Sequence, residues 1–223
     1  MAQVDFDHYA ARYDALIAGQ TNFFESDSDY FARYKIALAR RLAGEARAVL
    51  DFGCGIGRSM PHLRAAFPAA ELAGCDPSAE SLTLARRENP AAAFFGMDEL
   101  AAEPRFDLVL ASCVFHHIPP AERQDALRYC RERLKPGGRL VIFEHNPFNP
   151  VTRHLVNICP FDADAVLLSR RETVARMREA QFGIVRSGYC LFFPGALAAL
   201  RRLEDVMGWL PLGGQYFVCA VKA

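Results

Sequence analysis

Hydrophobic positions in this chain fall into short unbroken runs, separated by stretches in which apolar residues recur at helical spacing. The runs are Ala48-Val-Leu-Asp-Phe52, Leu72-Ala-Gly-Cys-Asp76, Ala93-Phe-Phe-Gly96, Phe106-Asp-Leu-Val-Leu-Ala111 and Leu140-Val-Ile-Phe143. Strands covered on both faces read as continuous apolar runs, because neither side of the pleat meets water. Helices are predicted between them, over Met60–Ala66, Ser78–Arg87 with Ser78 as N-cap, and Glu122–Leu134, stopped by Lys135-Pro-Gly-Gly138. Alternation of this kind builds a parallel sheet whose strand C-termini share one edge, where ligands bind.

The tail has a different pattern. After a predicted helix at Arg171–Ala180, two extended runs, Ile184–Phe193 and Gln215–Val221, flank a helical segment Ala196–Trp209 and the turn Pro211-Leu-Gly-Gly214. These predict an antiparallel pair at the sheet edge, with the last strand reversed. The first 45 residues read as helical and carry Phe6, Tyr9, Tyr13, Phe23, Phe24, Tyr30 and Phe31. Such aromatics suit either packing against the sheet or a lid over a ligand. The expectation is one α/β domain over 1–223: a helical cap (1–45), a ligand-binding core (46–145) and substrate-side elements with the final strands (146–223).

Composition narrows the partners. Lys+Arg and Asp+Glu both number 26, so the formal net charge is zero. A neutral chain exerts little long-range pull on a phosphate backbone, so no nucleic-acid partner is expected. The N-terminus lacks the basic and apolar regions of a secretory signal, and no run approaches the roughly 18 apolar residues of a membrane span. Seven cysteines, never spaced Cys-x-x-Cys, suggest neither a disulfide framework nor a zinc site. A cytoplasmic protein is expected.

The most informative motif is Asp51-Phe-Gly53-Cys54-Gly55-Ile-Gly57, leaving the first strand. Glycines let backbone approach a ligand closely. Arg58 stands where a dinucleotide fingerprint needs its last glycine, and Asp51 would repel a pyrophosphate; it suits an ammonium beside a sulfonium. Asp76, one βα unit later and followed by Pro77, suits two ribose hydroxyls, or else caps the next helix. In Met97-Asp98-Glu99 a carboxylate suits an adenine amino group, with Met97 against the ring; a surface turn is the alternative.

Taken in chain order, these residues resemble the class I S-adenosylmethionine-dependent methyltransferases, especially the small-molecule branch that includes the ubiquinone/menaquinone enzymes. Asp51–Gly57 matches motif I, Asp76 the ribose acid, Asp98 the adenine acid, and Phe106–Cys113 motif IV. Val114-Phe-His116-His117-Ile-Pro119 resembles the loop after strand four, and Leu134–Leu140 the turn into strand five. Phe6-Asp-x-x-Ala10-x-x-Tyr13-Asp14 resembles a helix that covers the cofactor. The resemblance implies a Rossmann-like, seven-stranded, mostly parallel sheet flanked by helices, S-adenosyl-L-methionine as cofactor, S-adenosyl-L-homocysteine as product, and in-line methyl transfer to a small organic acceptor.

Under that resemblance Ser112 or Cys113 lines the thioether, and His117 contacts the cofactor. His116, His145 and Glu144 are candidate bases for an acceptor that carries a proton. Phe23, Phe148, Phe161, Leu191, Phe192 and Phe193 predict an apolar acceptor pocket, with Arg153 and Asp162 as polar members; the stretch from Glu144 to Asp162 is otherwise unassigned. Asn146-Pro147-Phe148 follows strand five and lacks a second proline, so it is not the DNA amino-methyltransferase motif. Adjacent histidines usually point to different faces, so no metal is expected at His116, His117 and His145. Two rival readings are a catalytically silent cofactor-binding protein and a nicotinamide oxidoreductase.

Overall fold

A computed structural model describes Asp7 and residues 29–223. Tyr13, Phe23 and most of the expected N-terminal cap lie outside the described residues. Seven strands form one sheet: β1 Ala48–Phe52, β2 Glu71–Cys75, β3 Ala93–Phe95, β4 Phe106–Ser112, β5 Leu134–His145, β6 Phe182–Cys190 and β7 Gln215–Lys222. Their order is β3-β2-β1-β4-β5-β7-β6. Strands β1 to β5 pair in parallel, whereas β7 runs antiparallel to both β5 and β6. The expected Rossmann-like sheet with a reversed last strand is therefore present.

The helices are α1 Tyr30–Ala43, α2 Met60–Ala66, α3 Ala79–Glu88, α4 Arg123–Arg133, α5 Pro150–Ile158, α6 Arg170–Glu179 and α7 Glu204–Met207. Strand alternation sends Leu50, Phe52, Val109, Ala111, Leu140 and Ile142 into one core, with Leu127 and Cys130 of α4 and Met177 of α6. Val49, Leu108, Leu110, Val141 and Phe143 enter the other, with Ile36 of α1, Leu63 of α2 and Leu82 of α3. Two covered faces explain the unbroken apolar runs. Ser78 caps α3 as expected, its hydroxyl accepting from the Ser81 N–H.

Three expectations need correction. The sixth strand ends at Cys190, because Leu191 adopts φ 60°, and Phe192 and Phe193 leave the sheet. Three carboxylate bonds hold that turn: both Glu204 oxygens accept from the N–H groups of residues 191–193. The segment expected as one helix, Ala196–Trp209, is a 3-10 stretch over Gly195–Leu203 followed by α7, with a kink at Leu197. The stop after α4 is real, but β4 resumes pairing at Leu108 with Arg139, so Lys135–Gly138 bulges out within β5. Among the described residues, no helix is long and apolar enough to cross a membrane.

The order reverses between β1 and β4, each followed by a helix on opposite faces, and a crevice opens there at the carboxyl edge. The glycine turn is seated closely on its neighbours. A Cβ at Gly74 of β2 would stand 2.7 Å from Cys54 Sγ and 2.9 Å from a Phe94 ring carbon. Gly74→Ala should therefore destabilise the fold by about 1–3 kcal/mol through overpacking under the turn. Urea denaturation would show it as a lowered midpoint with an unchanged slope.

Candidate active site

The crevice is a cavity of about 640 Å³. Its wall gathers residues from the ends of β1, β2, β4 and β5, from α1, and from the segment after β5. Of the residues expected at the cofactor, Asp51, Gly53, Cys54, Gly55, Asp76, Pro77, Met97, Ser112, Cys113 and His117 line it. Gly57 does not. A Cβ there would strike Asn89 and Ala85, so this glycine lets the turn pack against α3. Asp98 and Glu99 are exposed and off the wall; Glu99 instead accepts from the Gly96 N–H at 2.6 Å.

Asp51 closes β1 and is almost fully buried, yet its Oδ2 has no hydrogen-bond partner among the described residues. Burial pushes its carboxyl up to about 7, against the lowering effect of Ser59. Asp76 combines the two roles considered for it. Its Oδ2 accepts from the Gly55 N–H at 2.8 Å and its Oδ1 from the Ser78 N–H at 2.9 Å, while the residue still faces the cavity. It thereby ties the glycine turn to the start of α3. Gly53 (φ 72°) and Gly55 (φ 52°) hold the left-handed backbone of that turn. Val114 occupies the space that a side chain at Gly53 would need.

A second polar group lies between the β4 and β5 ends. Glu144 is wholly buried; its Oε1 accepts from the N–H groups of Val114 and Phe115, at 2.9 and 2.7 Å. Its Oε2 lies 2.6 Å from His116 Nδ1. Its carboxylate is thus fully engaged by the loop after β4. Burial opposes the charge on both partners, but their attraction prevails, raising His116 to about 10 and lowering Glu144 to about 2. Burial, reinforced by the His116 charge, lowers His117 and His145 to about 4 each. The three candidate bases thus separate: Glu144 is away from the cavity wall, His116 is held as a cation, and His145 is neutral and lines the cavity.

The adjacent histidines do not diverge as expected. The His116 and His117 ring centroids lie 4.0 Å apart, and Nε2 of each approaches the same Asp162 Oδ1, at 3.5 and 3.3 Å. Asp162, expected with Arg153 as a polar member of the acceptor pocket, does reach the cavity wall, on the segment after β5. Asn149 caps α5 through its side chain, and a 3-10 turn over Pro160–Asp162 then delivers Phe161 and Asp162 to the wall. Asn146 anchors the segment by donating to the carbonyls of Pro211 and Gly213.

The acceptor expectations divide. Phe161 lines the cavity, whereas Phe148 is exposed, and Arg153, Phe192 and Phe193 are away from the wall. Lys35 and Gln215 are among the wall residues that escaped sequence reasoning. Lys35 comes from α1, its Nζ 3.7 Å from Cys113 Sγ; Gln215 Nε2 lies 3.3 Å from the same sulfur. Gln215 was missed because β7 is antiparallel: its first residue, paired with His145, stands at the edge where the other strands end.

Removing Glu144 tests the centre of this arrangement. Glu144→Ala should cost about 3–5 kcal/mol by leaving a buried imidazolium unpaired, and Glu144→Gln less. Guanidinium unfolding at neutral pH measures the difference.

Residues 50–140 match the methyltransferase domain family. The chain is 32% identical over 154 residues to a trans-aconitate 2-methyltransferase of Methylobacterium nodulans, covering 66% of this chain and 58% of that protein. It is 33% identical over 165 residues to a ubiquinone/menaquinone biosynthesis C-methyltransferase of Syntrophotalea carbinolica, covering 66% and 62%. The chain thus spans about three fifths of the length of these curated relatives. In fold it resembles a Thermotoga maritima structure described as an S-adenosylmethionine-dependent methyltransferase and possible histamine N-methyltransferase, with TM-score 0.69, 19% identity and 98% of each chain covered. The matched range opens on the glycine turn and runs along the crevice, so the chain carries a methyltransferase domain over 50–140 and shares the fold of S-adenosylmethionine-dependent methyltransferases.

Proposed function

We propose that this protein methylates a small, partly apolar organic acceptor, using S-adenosylmethionine bound along the β1–β4 crevice. The observation that carries the reading is Asp51: a buried carboxylate with an unpartnered oxygen on a cavity wall asks for a cationic donor. The cofactor's ammonium is such a donor. Gly55, where an added Cβ would touch nothing, leaves room beside it. Asp76 keeps lone pairs beyond its two backbone bonds for ribose hydroxyls, and Met97 offers an apolar face to the adenine. When bound, the cofactor supplies an electrophilic methyl group on a sulfonium.

The chain's own residues orient the partners and exclude water. Ile118, Leu155, Val156 and Phe161 give the cavity apolar lining, with His117, His145 and Gln215 among its polar members. Residues 46–145 would then hold the cofactor and 146–223 supply most of the acceptor side. His145, at the end of β5, is placed to take a proton from an acceptor hydroxyl. Methyl transfer needs alignment above all, which these walls provide without a moving catalytic group.

Asp51→Asn should weaken S-adenosylmethionine binding by about 1–3 kcal/mol, on the order of ten- to a hundredfold in Kd. Unchanged affinity by titration calorimetry would sink the site assignment. Because burial holds the Asp51 carboxyl near 7, its proton must leave before it pairs with the ammonium. Affinity should therefore rise between pH 6 and 8. Calorimetry in two buffers of different ionisation enthalpy should register proton release at the lower pH, and a flat profile would count against Asp51. His145→Gln should slow methylation of a hydroxyl acceptor by about 10²–10⁴-fold while leaving cofactor affinity unchanged.

A further inference from the structure

We propose that His116, His117 and Asp162 form a binding site for a divalent cation of the zinc class, with an open coordination position facing the acceptor side of the cavity. The ligand atoms of these three residues all lie within 4.8 Å of one another, and all three residues line the cavity. Two of the spacings, 3.5 Å from His116 Nε2 and 3.3 Å from His117 Nε2 to Asp162 Oδ1, are close to the edge of a tetrahedron. Bonds of about 2.0–2.1 Å from zinc to nitrogen or oxygen give an edge of about 3.3 Å. Two imidazoles and one carboxylate are a donor set for zinc-class ions, His116 releasing its Nε2 proton to solvent as the ion binds, and three protein ligands leave a fourth position for water or substrate.

A second, independent observation supports a ligand role. Histidines that bind metals through one ring nitrogen characteristically donate the other N–H to a carboxylate, which fixes the ring. His116 does so: its Nδ1 lies 2.6 Å from Glu144 Oε2, directing Nε2 toward Asp162 and the cavity. His117 Nε2 faces Asp162, and its Nδ1 lies 3.8 Å from Asp164 Oδ1, an approach longer than a hydrogen bond. The backbone that carries the histidines is also held from outside the cluster. The His116 carbonyl accepts from the Val166 N–H at 2.8 Å, and Arg123 donates to the carbonyls of both Ile118 and Val166. Three ligands, one supporting carboxylate and an anchored backbone form a built site.

The proposal rests on the methyl-transfer reading for its use, since the open position would hold an anionic oxygen of the acceptor near the methyl donor. Its test does not depend on that reading. Full-length protein, stripped with chelator, is titrated with Zn²⁺ by calorimetry and with Co²⁺ by visible absorption. One equivalent should bind and the cobalt bands should have the intensity of four- or five-coordinate Co²⁺. His117→Gln and Asp162→Asn should each weaken binding at least tenfold, and Glu144→Gln about 10–100-fold. Cys113→Ser should leave it intact, and adding acetate to the cobalt form should shift the bands.

No stoichiometric binding by wild type, or affinity unaffected by both His117→Gln and Asp162→Asn, would overturn the site. Loss in Cys113→Ser would move the ion to the thiol and overturn the ligand set. Bands unmoved by acetate would overturn the open position. Far-ultraviolet circular dichroism and the urea midpoint of each variant, measured alongside, show whether it is folded. Wild type that binds the cofactor but no metal refutes this inference alone; wild type that binds metal but no cofactor refutes the methyl-transfer reading alone.

Discussion

Placing a carboxylate in the interior costs several kcal/mol unless its oxygens find donors, and Glu144 meets that cost with three. The donors are not neighbours in sequence. Two are backbone N–H groups of the loop that follows β4, and the third is the imidazole of His116 on the same loop. A single side chain at the end of β5 therefore dictates where the β4 loop runs. Cys113 turns into that loop at φ 60°, a left-handed conformation sustained because the next two N–H groups are claimed by Glu144. Val114 then rests over Gly53, in the volume any larger residue at 53 would occupy. The glycine turn, the loop and the cavity between them are thus a mechanically linked unit.

The same economy joins the tail to the site. Arg123, buried at the start of α4, is satisfied by carbonyls of the β4 loop and of the segment around Val166, and by Glu172 of α6. Asn146 and Asn149 bind carbonyls of the 211–213 turn that leads into β7. Buried polar groups must be paired, so each latch selects one arrangement of two otherwise independent loops. The outcome is a cavity polar at the glycine turn, apolar beyond it, and crossed by a histidine–carboxylate group.

Much of this was legible along the chain. The strands announce themselves as unbroken apolar runs because both sheet faces are covered. Ser78 announces the start of α3 because a hydroxyl there satisfies an N–H of the first helical turn. Asp51 and Asp76 were found because local motif and strand end coincide. Aromatic content was a poor guide to the acceptor side: Phe161 faces the cavity, whereas Phe148, Phe192 and Phe193 do not. An apolar side chain looks the same in sequence whether it meets a ligand, a core or water. Asp98 shows the same difficulty for acids, since a carboxylate after β3 can equally well stand in solvent.

The sequence by itself determined which stretches become strands and which turn closes the crevice, because those properties depend on residues close to one another along the chain. Tertiary structure decided the rest. Lys35 and Gln215 reach Cys113 across 78 and 102 positions, and His116 meets Glu144 across 28. Nothing in local spacing encodes such meetings; they follow from strand order, from the reversal of β7 and from the requirement that buried charges find partners. His116 and His117 illustrate the division. Their adjacency suggested side chains facing apart, but the loop held by Glu144 turns both toward Asp162.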